Sequence, residues 1–169
     1  VEAPAEATGL PDGSFDSIVA GQSWHWFNQD EAITEVGRLL APNARFAVCG
    51  FDWLPLPDTV PGATEALIEA YNPAWDLGGI RNYEPSLLPL LDRVDFKVVV
   101  TFRFDLDVVY AEPAWRRRIA ASAGIVNLPP EEAAAFDRDL AEMLAERFPG
   151  PEVHTPHRVW AIVATPPAA

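Results

Sequence analysis

The clearest pattern in the sequence is a strict alternation of apolar and polar positions between Phe96 and Tyr110. Every even position there is apolar, and most odd positions are polar or charged. A period of two predicts a long β-strand with one dry and one wet face, as at an antiparallel or edge position. Arg158–Thr165 is apolar at nearly every position and predicts a final strand that is covered on both faces and therefore central.

A second pattern joins two shorter strands through a helix. Ser14–Gly21 and Arg45–Cys49 are short apolar runs that predict strands. Apolar residues at helical spacing lie between them and predict an amphipathic helix, with Asn28 as its N-cap and Glu31 completing the capping pattern. The three elements form a βαβ unit, so the two strands are expected to be parallel with a right-handed crossover.

The rest of the sequence predicts further helices and a single domain. The helices are expected at Ala63–Tyr71, Tyr83–Val94, Glu112–Ala123 and from Pro130 onwards. No internal repeat or low-complexity linker divides the chain, so residues 1–169 are interpreted as one domain, with an irregular, aromatic insertion at about 51–95. The predicted fold is α/β, with a sheet that mixes parallel and antiparallel strands.

Composition and charge restrict the partners. The chain is 49% hydrophobic and 22% charged, which is globular, and its net charge is −13. Such a surface repels phosphate backbones, so nucleic acid and anionic membranes are not expected partners. A lone Cys49 excludes a disulfide framework, and His154 and His157 lack a nearby third ligand, so no metal site is predicted. With no spanning segment, the expected location is cytoplasmic.

Several short motifs appear in order in the first 42 residues. They are Ala5-Glu6, Pro11-Asp12-Gly13-Ser14-Phe15-Asp16, Gln22-Ser23-Trp24-His25-Trp26-Phe27 and Arg38-Leu39-Leu40-Ala41-Pro42. Together they resemble class I S-adenosylmethionine-dependent methyltransferases. More narrowly, they resemble the type 11 subgroup that includes enzymes similar to trans-aconitate methyltransferase. The resemblance implies a partial Rossmann-like methyltransferase sheet, mixed parallel with an antiparallel C-terminal strand pair and with helices on its faces.

The resemblance covers only the later part of the family domain. Family members begin with a strand and a glycine-rich turn that holds the cofactor, and no such turn precedes Ser14. Two interpretations remain open: the chain is a fragment of a longer polypeptide, or its pattern has lost the cofactor half. The first residue, Val1, favours the fragment, and the chain alone is expected to be inactive.

The resemblance also implies the cofactor contacts. Ala5 and Glu6 would meet the adenine edge of S-adenosylmethionine, although Glu6 is equally well interpreted as a solvated loop acid. Gln22 and Ser23 follow the strand that matches the fourth strand of the family. Since ligands of open α/β sheets bind outside the carboxyl ends of the strands, both are expected to face the cofactor crevice.

A further group of residues is assigned to the acceptor side. His25 is the catalytic candidate, as a base or a substrate contact, with a structural role as the alternative. Trp24 and Trp26 are substrate-binding candidates, although core and cleft wall is the favoured interpretation of both. Trp53 and Arg81 lie in the insertion, and Arg81 could clamp a substrate carboxylate. Arg116–Arg118 is interpreted as helix-surface charge.

Two functions remain open at this stage. The first is methyl transfer from S-adenosylmethionine to a small-molecule acceptor. The second is a non-catalytic remnant of the same fold that acts as a binding or oligomerisation module. Phe15–Ala20 is expected to form an exposed apolar sheet edge, through which copies of the chain could associate.

Overall fold

The computed structural model describes residues 2–75 and 83–167, with the side chains of 2–75 and 87–167. A short 3₁₀ turn at Trp24–Trp26 accompanies nine longer elements. These are β1 (Phe15–Gly21), α1 (Gln29–Leu39), β2 (Leu40–Trp53), α2 (Val60–Tyr71), α3 (Tyr83–Arg93), β3 (Lys97–Ala111), α4 (Glu112–Ala120), α5 (Pro130–Arg147) and β4 (Glu152–Thr165).

The strands form one sheet in the order β1-β2-β4-β3. Strands β1 and β2 are parallel neighbours joined through α1, which confirms the predicted βαβ unit. Strand β4 lies between β2 and β3, so the apolar run predicted at Arg158–Thr165 fits a central position, although the strand begins six residues earlier, at Glu152. The sheet mixes parallel and antiparallel strands, and the predicted α/β fold is confirmed.

The pairing of β1 with β2 is interrupted by a bulge. Phe15 pairs with Leu40 and Ser17 with Arg45, so the single residue Asp16 faces the four residues 41–44. Asn43 in this bulge has a φ of 65°, a left-handed conformation that asparagine adopts more readily than most residues. Helix α1 ends at Leu39, and β2 begins at the next residue, Leu40. Pro42 and Asn43 therefore lie inside β2 and not in a loop between the helix and the strand.

The described residues group into two compact units. The first takes its residues from Val1–Phe51, Asn82–Phe104 and Val159–Ala169, and the second from Asp52–Arg81 and Asp105–Arg158. Each unit has its own apolar core. In the first unit the sheet residues Phe46, Val48 and Ile162 pack with α1 and α3, and in the second α2, α4 and α5 pack around Trp115, Ile119 and Leu140. The interpretation as one domain with an insertion at about 51–95 stays a prediction.

Strand β3 departs from the expected pattern of burial. Its position at the edge of the sheet is confirmed, but its apolar positions are not covered. Val98, Val100, Phe102, Phe104 and Leu106 are each between 38% and 53% exposed, and the polar positions between them are exposed as well. The prediction of one dry face is wrong for this strand, because within the described residues no element packs over either face of its first half.

A network of polar contacts ties the segment before β1 to helix α1. The Glu35 carboxylate accepts hydrogen bonds from the Thr8 backbone N–H at 2.8 Å and the Thr8 hydroxyl at 2.6 Å. The Arg38 guanidinium donates to Glu35, to the Leu10 carbonyl at 2.7 Å and to Asp12. This arrangement gives the motif residues Glu35 and Arg38 a structural role, which is to hold residues 8–12 against the helix.

Candidate active site

A small cleft lies at the carboxyl ends of β1 and β2. Its volume is about 10 Å³, the size of one small group of atoms. The residues that line it come from the turn after β1, the end of β2, α3 and β4. They are Gln22, Ser23, Trp24, His25, Val48, Cys49, Leu87 and Trp160. The structure thus brings together Gln22, Ser23, Trp24 and His25, as the sequence predicts for consecutive residues after a parallel strand.

The turn that opens this cleft contains backbone in an uncommon conformation. Gln22 has a φ of 55°, in the left-handed region that non-glycine residues seldom occupy. Its backbone N–H donates to the Cys49 carbonyl at 3.0 Å, and its side-chain amide donates to the Phe51 carbonyl at 2.6 Å. These two bonds to β2 offset the cost of the turn, and outliers of this kind concentrate at functional sites.

Trp24 lies in the core and at the cleft wall at once. It is 5% exposed, and its ring packs against Phe46 at 5.1 Å and edge-on against Phe27 at 5.9 Å between centroids. Within the described part of the chain, its buried indole N–H has no hydrogen-bond partner. Since an unpaired buried donor costs roughly 1–3 kcal/mol, an acceptor atom that reached this N–H would gain a hydrogen bond that the described residues do not supply.

His25 and Trp26 form the outer rim. The His25 ring is half-buried and stacks at a tilt on Trp26, with 4.6 Å between centroids. Trp26 is 57% exposed, and it does not line the cleft. The aromatic motif is therefore divided between core, cleft and surface.

Ala5 and Glu6 lie in a turn of the N-terminal segment and do not line the cleft. One oxygen of the Glu6 carboxylate accepts the Asn28 backbone N–H at 2.8 Å. Asn28 occupies the predicted N-cap position of α1, but its own side chain makes no capping hydrogen bond, so the capping box with Glu31 is wrong. Glu6 serves the helix entrance instead, a long-range contact that the local pattern could not indicate.

Trp53 belongs to the second unit and has polar partners there. Its indole N–H donates to Glu65 at 2.9 Å, and the Trp75 indole N–H donates to the other oxygen of the same carboxylate at 2.5 Å. The Arg118 guanidinium lies over the Trp53 ring at 5.5 Å and over Tyr110 at 5.9 Å. Arg81, the other acceptor-side candidate, lies outside the described residues.

The three arginines of α4 do not behave alike. Arg116 forms ion pairs with Glu112 and Asp137, and Arg117 is exposed, as expected for helix-surface charge. Arg118 is half-buried between two aromatic rings and is not simply surface charge. The sequence analysis missed this contact, because the arginine and the two rings come from three separate elements.

No group of three or more His, Cys, Asp and Glu side chains with metal-binding geometry occurs among the described residues. His154 contacts Asp107, and the buried His157 contacts the Thr155 carbonyl at 2.7 Å. No helix in the described ranges has the length and hydropathy to cross a membrane.

A wider groove lies elsewhere in the first unit. It has a volume of about 800 Å³ and is open to solvent. Its walls are the bulge of β2, the start of β3 and the end of β4, so it opens at the amino-terminal side of β2, away from the Gln22–His25 turn.

The sequence of the first part of the chain matches a family model. Residues 1–48 match the Methyltransferase domain. An uncharacterized methyltransferase of Schizosaccharomyces pombe is 28% identical over 142 residues, which cover 83% of this chain and 53% of that protein. An uncharacterized methyltransferase of Mycobacterium bovis is 41% identical over 44 residues, covering 26% of this chain and 18% of the relative.

Solved structures share the fold. An inferred type II methyltransferase from Anaeromyxobacter dehalogenans superposes with a TM-score of 0.56 at 20% identity, covering 97% of this chain and 69% of that one. The 4+2 cyclase SpnF superposes with a TM-score of 0.52 at 19% identity, covering 99% of this chain and 56% of that one.

These matches support the predicted resemblance to methyltransferases: residues 1–48 match the Methyltransferase domain model, and the chain shares the mixed α/β fold of solved methyltransferase structures. It spans about half the length of the Schizosaccharomyces pombe relative. The narrower trans-aconitate subgroup stays a prediction.

Proposed function

We propose that this chain is part of an S-adenosylmethionine-dependent methyltransferase that acts on a small-molecule acceptor. One observation carries the proposal: Gln22, Ser23, Trp24 and His25 line a single cleft at the carboxyl ends of the parallel strands β1 and β2. Ligands of open α/β sheets bind in this position. The methyltransferase match of residues 1–48 includes all four residues.

The residues present suit the reacting end of such a cofactor. The cleft of about 10 Å³ admits a small group but not a nucleoside, so it would surround only the atoms near the transferred methyl. Gln22, Ser23 and the unsatisfied Trp24 N–H would supply hydrogen bonds to the cofactor or acceptor. When bound, S-adenosylmethionine supplies the activated methyl group.

The residues at the rim of the cleft would act on the methyl acceptor. Methyl transfer is an in-line displacement, so alignment contributes more than acid chemistry. A base is needed only where the accepting oxygen or nitrogen carries a proton, and His25 at the rim would take that proton. Trp24 and Trp160 would exclude water from the cleft. Trp26, Trp53 and Arg81 remain proposed contacts to the acceptor.

Calorimetric titration with S-adenosylhomocysteine tests the proposal. The sample is the natural polypeptide that contains these 169 residues. We expect saturable binding that is weakened about tenfold or more by Trp24→Phe, because the variant keeps the ring but removes the N–H. Trp115→Phe is the matched control: Trp115 is equally buried, but it lies in the second unit, where its N–H donates to Thr64 at 3.1 Å. Absence of binding by the wild-type polypeptide would end the proposal.

A second candidate is a non-catalytic module of the same fold. A fold does not fix an activity. The 4+2 cyclase SpnF has a similar fold, although its name denotes a reaction other than methyl transfer. The exposed Val19 on the edge strand β1 and the exposed apolar side chains of β3 favour a binding or self-associating role. Radiolabelled methyl transfer to a panel of small carboxylic acids separates the two candidates, because only the first requires transfer.

A further inference from the structure

The groove at the amino-terminal side of β2 combines an apolar floor with two cationic side chains. Buried faces of Ile33, Leu40 and Phe96 contribute to the floor. Arg45 and Lys97 are exposed at its walls. Its volume of about 800 Å³ lies within the range of about 300–1,000 Å³ typical of small-molecule sites.

The charge of this groove is opposite to that of the whole chain. The sequence has 25 acidic and 12 basic residues, yet none of the described residues that line the groove is acidic. Lys97 is the only lysine in the sequence. Among the described residues neither Lys97 nor Arg45 forms an ion pair, whereas Arg38, Arg93, Arg116 and Arg158 each contact a carboxylate.

The bulge of β2 holds the arginine in place. Arg45 Nη1 donates to the Asn43 carbonyl at 2.6 Å and to the Ala44 carbonyl at 3.1 Å. Both bonds come from one nitrogen, so the remaining donors of the guanidinium can meet an anion. The left-handed Asn43 that shapes the bulge is thus also part of the groove wall.

We propose that this groove is a binding site for an amphipathic carboxylate, a single alkyl chain that ends in a carboxyl group. The alkyl chain would lie on the apolar floor, and the carboxylate would meet Arg45 and Lys97. The site is separate from the Gln22–His25 cleft, so it stands or falls independently of methyl transfer.

Binding at Lys97 can be measured directly by NMR of its side-chain amine. In the natural polypeptide that contains these residues, reductive methylation with ¹³C-formaldehyde preserves the charge of lysine side chains, and the Lys97 resonance is assigned as the one that Lys97→Arg lacks. We expect titration with octanoate, below its micelle concentration, to move the Lys97 resonance saturably with a Kd below about 1 mM. Acetate, which has the charge alone, and 1-octanol, which has the chain alone, are each expected to bind at least tenfold more weakly.

A matched pair of variants tests the role of charge. Thr34 is exposed at the groove wall, so Thr34→Glu and Thr34→Gln should both fold. We expect Thr34→Glu to bind octanoate at least tenfold more weakly than Thr34→Gln, because only the first adds a carboxylate beside the anion. Arg45→Ser should also weaken binding, whereas Arg138→Ser, an exposed arginine on α5, should leave the Kd unchanged.

Three outcomes would overturn the proposal. Equal affinities for acetate and octanoate would show surface charge only, and equal affinities for octanol and octanoate would show an apolar surface only. A Lys97 resonance that moves with protein concentration in the absence of octanoate would show that a second copy fills the groove.

Discussion

Glu35 shows how one side chain can link stability to pH. Its hydrogen bonds from Arg38 and Thr8 lower the pKa of the carboxyl from 4.5 to about 2. Because the folded pKa is depressed, the contribution to stability is complete above the unfolded pKa and is lost as the pH falls from about 4.5 towards 2. We expect Glu35→Gln to be less stable at pH 7 and to lose less stability over that interval, as measured by denaturant unfolding.

Glu142 provides the comparison for Glu35. It is an exposed carboxylate on α5, so Glu142→Gln should change the free energy of unfolding at pH 7 by about 0.5 kcal/mol or less. The same acid slope in wild type and Glu35→Gln would contradict the assigned role of the Thr8 and Arg38 contacts.

Two phenylalanines of similar sequence context should differ in their contribution to folding. Phe46 is 1% exposed in the core of the first unit, whereas Phe102 on β3 is 48% exposed and stacks on Phe104 with 6.4 Å between ring centroids. Phe46→Ala should lower the free energy of unfolding by about 3–5 kcal/mol. Phe102→Ala should lower it by about 0.5 kcal/mol or less. Comparable losses in chemical denaturation would mean that β3 is covered in solution.

At the scale of elements, strand β4 carries two histidines with opposite effects of pH. Asp107 raises the pKa of His154, whereas burial lowers the pKa of His157 despite its contact with the Thr155 carbonyl. The stability from His154 is present below the unfolded pKa of 6.5 and is lost as the pH rises through its folded pKa. His157 has the reverse sign, since the folded chain loses stability as the pH falls below 6.5.

Denaturation of His154→Gln and His157→Gln between pH 5 and 8 checks these signs. The stability gap between wild type and His154→Gln should narrow as the pH rises. His157→Gln should lose less stability than wild type as the pH falls. A gap that is independent of pH for His154→Gln would show that the contact with Asp107 does not persist in solution.

The elements differ in how far the sequence predicts them. Strand β1, helix α1 and helix α5 lie close to their predicted limits. Each of them buries one face, and the apolar residues of that face recur at a spacing that can be recognised in the local sequence. Strand β2 is longer than Arg45–Cys49 and contains a bulge, because its pairing with β1 tolerates Pro42 and Asn43 inside the strand. Strand β3 was predicted in place and period, but its burial depends on neighbours that its own sequence does not specify.

At the scale of the molecule, β1 is an edge strand, and Val19 is 65% exposed. We propose that copies of the chain associate through this edge, against the repulsion of a net charge of −13. Association measured by analytical ultracentrifugation should increase with salt, because salt screens the repulsion. Val19→Lys should reduce it, because an added charge on an edge strand opposes pairing.

Val126→Lys is the matched control for this prediction. Val126 is 60% exposed in the turn region after α4, far in sequence from β1. The substitution makes the same change in charge, so it should leave association at a given salt concentration nearly unchanged. An equal effect of the two substitutions would show that net charge, and not the β1 edge, controls association.

The candidate site was predictable only where its residues are consecutive. Gln22, Ser23, Trp24 and His25 meet because they follow one strand, and the motif marks that strand. The contacts of Glu6 with Asn28 and of Trp53 with Glu65 and Arg118 join residues from separate elements, and no local pattern indicates them.

The sequence by itself determined the elements, the parallel βαβ unit and the resemblance to methyltransferases, because periodicity and motif spacing are local properties of a chain. Only the tertiary structure decided which apolar positions are covered, that the buried Trp24 lines the cleft, and that Lys97 lies with Arg45 in a groove whose described lining has no acidic residue. The burial of a side chain and the charges around it depend on segments that are distant in the sequence, and the packing of those segments is a property of the whole fold.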